Sequence, residues 1–122
     1  MKRNWDKLRE VLQLVEDDKL VDTLLLMQSC GDEKEEAIFM GHLLLAIEGG
    51  LVAGIKVDFN PKLNEWDWGD KAPRLTLQGH DMLDSMRSRT LWALVKKKAV
   101  DLAVPISIEL IKSVMKDILA KG

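Results

Sequence analysis

Two short stretches, each containing a boundary between a helix and a strand, constrain the fold of this 122-residue chain more than any other feature. Residues 42–51 form an apolar helical segment that ends at two glycines and runs into a strand; glycine readily supplies the left-handed residue that stops a helix. Residues 75–83 form a strand that ends at Thr76 and runs into a second helix, for which threonine is a suitable N-cap. The sequence therefore predicts two helices joined through a β-hairpin.

Residues that favour the N-cap position mark the other helix starts. Asn4 precedes an apolar stripe at helical spacing, and Asp32 with Glu35 three residues later has the spacing of a capping box. Ser107 follows Pro105 and is a fair N-cap for a last helix. A break between two helices is expected at residues 88–90, because serine and threonine compete with the helix for backbone hydrogen bonds.

The strands are predicted from alternation and from turn residues. Residues 51–59 and 74–77 indicate two paired strands, and residues 60–73 are expected to form a long, mobile loop between them. Residues 20–28 are apolar but too short for periodicity to separate a buried strand from a buried helix. A strand is favoured there, because it could pair with the hairpin.

This order of elements is typical of a winged helix, in which helices are followed by a β-hairpin wing. The predicted fold class is α+β, a winged-helix-like domain with additional C-terminal helices. A length of 122 residues predicts one domain over 1–122. Residues 105–121 are expected to be a C-terminal helix that packs on the protein's own helices or forms a dimer.

Composition bounds the class of protein. Hydrophobic residues make up 47% and charged residues 31%, as in soluble globular proteins. The single cysteine, Cys30, fits a reducing compartment, and no stretch approaches the roughly 20 apolar residues of a membrane span. The first residues lack the apolar core of a signal peptide. We therefore expect a cytoplasmic protein with no membrane association.

Three motifs resemble a family found mainly in bacteriophages and prophages, domain of unknown function 2513. They are residues 1–9, residues 42–51, and residues 75–84 followed by 87–92. The chain departs from the family pattern at a few positions, namely Gly49 in place of alanine, Leu77 in place of tryptophan, and Ser88-Arg89 in place of two acids. The resemblance spans nearly the whole chain. It implies a small phage-borne winged-helix-like protein and implies no catalytic residues.

The distribution of charge bears on nucleic-acid binding. Residues 31–60 carry two basic and six acidic side chains, whereas residues 86–100 carry five basic side chains and no acid. The basic side chains that could contact a nucleic-acid backbone are Arg87, Arg89, Lys96, Lys97 and Lys98. They lie outside the helix that would enter a DNA groove, and that helix opens with Asp32-Glu33-Lys34-Glu35-Glu36, which repels phosphate. The alternative is that both charged runs are solvated faces of helices.

The residues that could support catalysis are few. His42, His80 and Cys30 have none of the spacings of metal ligands, and the chain has no phosphate-binding loop, dinucleotide glycine motif or nucleophile elbow. Each histidine is therefore interpreted as structural. We expect no enzyme activity, no cofactor and no metal.

Two features favour protein contacts. Trp66 and Trp68 lie among acids in the predicted loop, where an exposed aromatic would be an anchor for a partner, although both could instead fold back over the core. The C-terminal helix has an apolar seam at heptad-like spacing that could pair two copies of the chain or pack internally, formed by Ile108, Ile111, Met115 and Ile118. The expected function is a non-enzymatic protein-interaction module acting on an unknown protein partner, and a homodimer is expected. The alternative is a DNA-binding transcriptional regulator.

Overall fold

The computed structural model describes residues 3–69 and 72–121, apart from the side chains of residues 30, 108 and 118–121. Over these residues the protein is α+β, with six helices and two antiparallel two-stranded sheets. The elements are α1 (Trp5–Glu16), α2 (Leu20–Cys30), α3 (Glu33–Glu48), β1 (Val52–Ala53), β2 (Lys56–Asn60), β3 (Glu65–Gly69), β4 (Arg74–Leu75), α4 (Leu77–Arg87), α5 (Arg89–Leu102) and α6 (Ile108–Lys121). They fall into two compact units, Met1–His80 and Asp81–Gly122, called unit 1 and unit 2. One domain over 1–122 stays a prediction.

The core of unit 1 is built on α1 and α3, which pack against each other. Asn4 caps α1 as predicted: its side-chain oxygen accepts from the backbone N–H of Asp6 at 2.9 Å and of Lys7 at 3.3 Å. The apolar positions of α1 recur at helical spacing and are buried, namely Leu8, Val11, Leu12 and Val15. The facing buried residues of α3 are Phe39, Met40, Leu43 and Ala46.

Residues 20–28 form most of helix α2, so the favoured strand is wrong. Leu20 and Leu24 are buried one helical turn apart, whereas Leu25 and Leu26 are exposed. A strand here would need a neighbour to satisfy its backbone groups, and the helix satisfies them within the segment. The described strands pair only among themselves, β1 with β4 and β2 with β3.

The predicted pairing at the base of the hairpin is confirmed, because Val52 lies opposite Leu75 and Ala53 opposite Arg74. The long loop predicted at residues 60–73 is wrong for much of its length. Residues 65–69 form β3, which pairs with β2 from Asn60↔Glu65 to Lys56↔Gly69. The connecting turn is residues 61–64. The expected mobility assumed an unpaired loop, and this ladder removes that basis.

Unit 2 contains two consecutive helices, α5 and α6, which pack against each other. The predicted break is confirmed: α4 ends at Arg87, and the Ser88 hydroxyl caps α5 by accepting from the Leu91 N–H at 3.1 Å. Ser107 caps α6 in the same way, accepting from the Leu110 N–H at 3.1 Å. Between the helices, Ala103 adopts a left-handed conformation with φ 53°.

Candidate partner-binding groove

The β2–β3 hairpin places two aromatic rings side by side. The ladder sets Phe59 directly opposite Trp66. Their ring centroids are 4.8 Å apart with the planes tilted by 45°, within the usual range for an attractive aromatic pair. Phe59 is 43% exposed and Trp66 is half-buried. The hairpin thus presents an aromatic surface that its own fold covers only in part.

The start of α3 lies next to this aromatic pair, and the two elements enclose a groove of about 490 Å³. Asp32 begins the helix as its N-cap, accepting from the Lys34 N–H at 2.8 Å, which confirms the predicted helix start. The residues that line the groove are Asp32, Glu33, Lys34, Glu36, Ala37, Phe59, Asn64 and Trp66. We call it the hairpin groove. Its floor is aromatic and its rim carries three carboxylates against one ammonium group.

Trp66 and Trp68 lie in β3, and both are half-buried. Together they line a small cavity against α2 and α3, whose other lining residues are Leu24, Met27, Gln28, Glu36 and Met40. Trp66 lines both this cavity and the hairpin groove. The tryptophans therefore cover part of the core, and Trp66 also reaches a surface where a partner could bind. Binding through Trp66 and Trp68 stays a prediction.

The five basic residues singled out for backbone contact lie at the end of α4 and on α5. Arg87 forms an ion pair with Asp84 at 3.7 Å, and the Lys98 ammonium is 2.8 Å from an Asp117 carboxylate oxygen. The other three of these basic residues, Arg89, Lys96 and Lys97, are exposed on α5. Two of the five residues are therefore already held by acids of the same unit.

The apolar seam of the C-terminal helix is only partly described. Ile111 is 1% exposed, so its side chain is already packed within the protomer. Met115 is half-buried, and its sulfur accepts a hydrogen bond from the Ser85 hydroxyl at 2.7 Å. The side chains of Ile108 and Ile118 lie outside the described residues. A dimer through this seam stays a prediction.

His42 is structural, as interpreted. Its ring is fully buried, Nδ1–H donates to the Ile38 carbonyl at 2.7 Å, and Nε2 accepts from the Asn4 backbone N–H at 2.8 Å. Both ring nitrogens are thus used by the backbone, and the histidine ties the N-cap of α1 to α3. His80 is exposed, with Nδ1 3.9 Å from a Glu16 carboxylate oxygen. The side chain of Cys30 lies outside the described residues.

The described residues contain neither a metal-binding cluster nor a membrane-spanning helix. Among their side chains, no three His, Cys, Asp or Glu residues converge in a group that could hold a metal ion. Within the same part of the chain, no helix combines the length and the apolar character needed to cross a bilayer.

The two stretches that dominate the sequence meet at one place, which we call the junction. The Thr76 backbone N–H donates to the Leu51 carbonyl at 2.9 Å, and the Thr76 hydroxyl donates to the Gly50 carbonyl. The same hydroxyl oxygen accepts from the Gly79 N–H at 3.0 Å, which confirms Thr76 as the cap of α4. A Cβ on Gly79 would overlap the Leu51 carbonyl oxygen. Sequence reasoning identified each stretch but did not foresee their contact.

Comparison with known sequences assigns the chain to a family. The protein is a small α+β protein whose junction is built from the motifs that carry its family resemblance. The family model described as "Hypothetical protein (DUF2513)" matches residues 2–105, and the chain therefore belongs to this family. It is similar to a protein of Haemophilus influenzae named "Uncharacterized protein", with 31% identity over 121 residues, which covers 99% of this chain and 98% of that protein. No solved structure matches the present chain.

Proposed function

We propose that this protein is a non-enzymatic protein-interaction module and that its hairpin groove binds a segment of another protein. The observation that carries the proposal is the Phe59–Trp66 pair, which lies half-exposed in a groove of about 490 Å³. Large aromatic side chains in partly covered pockets are the usual anchors of protein interfaces. Phe59 is left exposed although neighbouring Val57 is buried, so core packing does not account for its position.

The rim of the groove favours a basic partner segment. The lining side chains carry three negative charges and one positive charge, a net charge of −2. The N-terminus of α3 contributes about half a positive charge at the same place, which is too little to reverse that sign. A Lys or Arg side chain seated there would gain from the carboxylates and from the aromatic faces, about 0.5–2 kcal/mol for a cation over a ring.

Fluorescence anisotropy tests this proposal with a labelled peptide of alternating lysine and leucine as the probe. The full chain is expected to bind this peptide and not a matched peptide of alternating glutamate and leucine. Phe59→Ala removes half of the aromatic pair and is expected to weaken binding about tenfold. Glu36→Gln removes one rim charge and is expected to weaken binding by a smaller factor.

The matched control is Glu48→Gln, which makes the same charge change at the far end of α3, outside the groove. It is expected to leave the dissociation constant unchanged. Equal weakening by Glu36→Gln and Glu48→Gln would indicate attraction to overall charge, and full binding by Phe59→Ala would contradict the aromatic anchor.

A second candidate function is sequence-independent contact with a nucleic-acid backbone through Arg89, Lys96 and Lys97, which are exposed on α5. We expect duplex DNA to bind weakly, without sequence preference, and to be released as salt rises, because phosphate contacts release counterions. Titration of random and selected duplexes at about 150 mM salt measures the affinity and the sequence preference of DNA binding. Nanomolar selection of one sequence would favour the transcriptional regulator over the interaction module.

We further propose that unit 1 is a winged-helix variant, as the family resemblance implies. The order of three helices followed by an antiparallel hairpin supports this assignment. In such a variant α3 takes the place of the DNA-reading helix, and its acidic first turn would suit a protein partner better than phosphate. We also propose a phage or prophage association, which the same resemblance implies, and a cytoplasmic location.

A further inference from the structure

An apolar face of the α5–α6 pair remains uncovered. Leu94 is 41% exposed and Leu102 is 56% exposed, and both line a groove of about 400 Å³ between the two helices. The other lining residues are Lys97, Lys98, Asp101, Val114 and Asp117. Two leucines two helical turns apart on one exposed face form a stripe of the kind that helices bury against other helices.

The charges beside this stripe have both signs. Lys98 and Asp117 pair with each other within the protomer at 2.8 Å, which leaves Lys97 and Asp101 as the exposed charges of the groove on α5. A partner surface that carries charges of a single sign would place a like charge against either Lys97 or Asp101. A surface that presents the same two charges in the opposite order would place an acid against Lys97 and a base against Asp101. A second copy of α5, oriented antiparallel to the first, is such a surface.

The spacing along α5 fits that arrangement. In an antiparallel pair of identical helices, residues equally far from the crossing point face each other. Leu94 and Leu102 lie four residues either side of Lys98, and Lys97 and Asp101 lie two residues either side of Ala99. These two centres are one residue apart, or about 1.5 Å along the helix. A single crossing point can therefore bring the two leucines and the two charged residues close to their counterparts in the second copy.

We propose that this face docks a second copy of the chain, with α5 antiparallel to α5 about a twofold axis. Leu94 of one copy then packs on Leu102 of the other, and Lys97 of one copy lies near Asp101 of the other, twice over. The two α5–α6 pairs form a four-helix arrangement that covers both grooves. This interface uses the exposed leucines of α5 instead of the α6 seam, and it is independent of the proposed function of the hairpin groove.

Sedimentation of the full chain over a range of concentrations tests the apolar part of the proposal. The wild type is expected to dimerise, and the double variant Leu94→Gln/Leu102→Gln is expected to raise the dimer dissociation constant by more than about tenfold. The matched control is Val100→Gln, an exposed valine of α5 that is not among the groove residues, and it is expected to leave dimerisation unchanged. Circular dichroism of each variant verifies that the fold is retained.

Charge reversal tests the register. Lys97→Asp and Asp101→Lys each place like charges opposite each other at two symmetric positions and are expected to weaken the dimer by several-fold. The double variant restores opposite charges and is expected to recover wild-type dimerisation. A wild type that stays monomeric at high concentration overturns the proposal. So does a dimer that none of these variants weakens, or a double variant that fails to recover.

Discussion

The two small sheets of unit 1 differ in what holds them in place. The junction sheet, β1–β4, has two residues per strand, and its position depends on hydrogen bonds of the Thr76 backbone and hydroxyl and on the close approach of Gly79 to the Leu51 backbone. The hairpin sheet, β2–β3, has five residues per strand, and its distinguishing contacts are made by the half-exposed side chains of Phe59 and Trp66. The junction has no room for a side chain at Gly79, whereas the hairpin leaves the side chain of Phe59 exposed.

This difference separates the stretches that carry the family resemblance from the surface proposed to bind a partner. The stretches at residues 42–51 and 75–84 carry the family resemblance, and they build the junction. The hairpin groove takes its aromatic floor from residues outside both stretches. These two stretches therefore account for the junction and do not by themselves point to the groove proposed to bind a partner.

Gly79→Ala is expected to have the largest effect on stability, a loss of more than about 3 kcal/mol, because a Cβ there would overlap the Leu51 carbonyl oxygen, a backbone atom that no side-chain rotation can move away. Urea denaturation followed by circular dichroism measures this loss. The matched control in the hairpin is Gly69→Ala, where the new Cβ would have no neighbour within 4 Å among the described atoms. Similar stability of the two variants would remove the contrast between the sheets.

Trp66→Ala and Trp68→Ala are each expected to lose about 1.5–3 kcal/mol, since the side chains are half-buried and complete burial would cost about 3–5 kcal/mol. Thermal and urea melts of both variants check this. An unchanged melt would mean that the tryptophans do not support the fold and act only at the surface. A loss of stability as large as that for complete burial would mean that they are core residues and are not available to bind a partner.

Thr76→Val is expected to lose about 1–2 kcal/mol, because it removes both the cap of α4 and the hydroxyl bond to Gly50. The exposed Thr90 provides the control, and Thr90→Val should melt within a few tenths of a kcal/mol of wild type. If the Thr76 variant were as stable as that control, side-chain hydrogen bonds would play no part in holding the junction.

Phe59→Ala is expected to have the smallest effect on stability, less than about 1 kcal/mol, because it removes one cross-strand pair from an exposed face. The same variant is expected to lose binding of the basic peptide. A loss of stability as large as that of Gly79→Ala would show that Phe59 supports the fold. The weaker binding of this variant would then result from unfolding and not from loss of a contact with the peptide.

Local sequence predicted the features that local chemistry determines. The predicted caps at Asn4, Asp32, Thr76 and Ser107 all appear in the structure, because each depends on one short side chain and the next turn of backbone. The break predicted at residues 88–90 appears as well, and Ser88 caps the helix that follows it. The pairing of β1 with β4 followed from strand residues on either side of a turn-rich stretch.

Other features depend on contacts between distant residues. The type of α2 was ambiguous, because a short apolar run fits a buried helix as well as a buried strand. The alternation Glu65-Trp66-Asp67-Trp68 could have identified β3, but the prediction gave more weight to the surrounding turn residues. The hairpin groove joins the start of α3 to residues 59–66, and no local pattern reports such a meeting.

The closed base of the hairpin has a consequence for how this protein can vary. The β1–β4 pairs, together with the bond from the Ala72 N–H to the Gly54 carbonyl at 3.1 Å, fix both ends of the excursion through residues 54–73. Residues added at the turn, 61–64, would lengthen a loop whose ends are already fixed, and doubling the length of a flexible loop costs only about 0.6 kcal/mol. The tip is thus an insertion point, where a foreign epitope or a new recognition sequence could be grafted within residues 61–63 and leave Asn64, which lines the hairpin groove, in place.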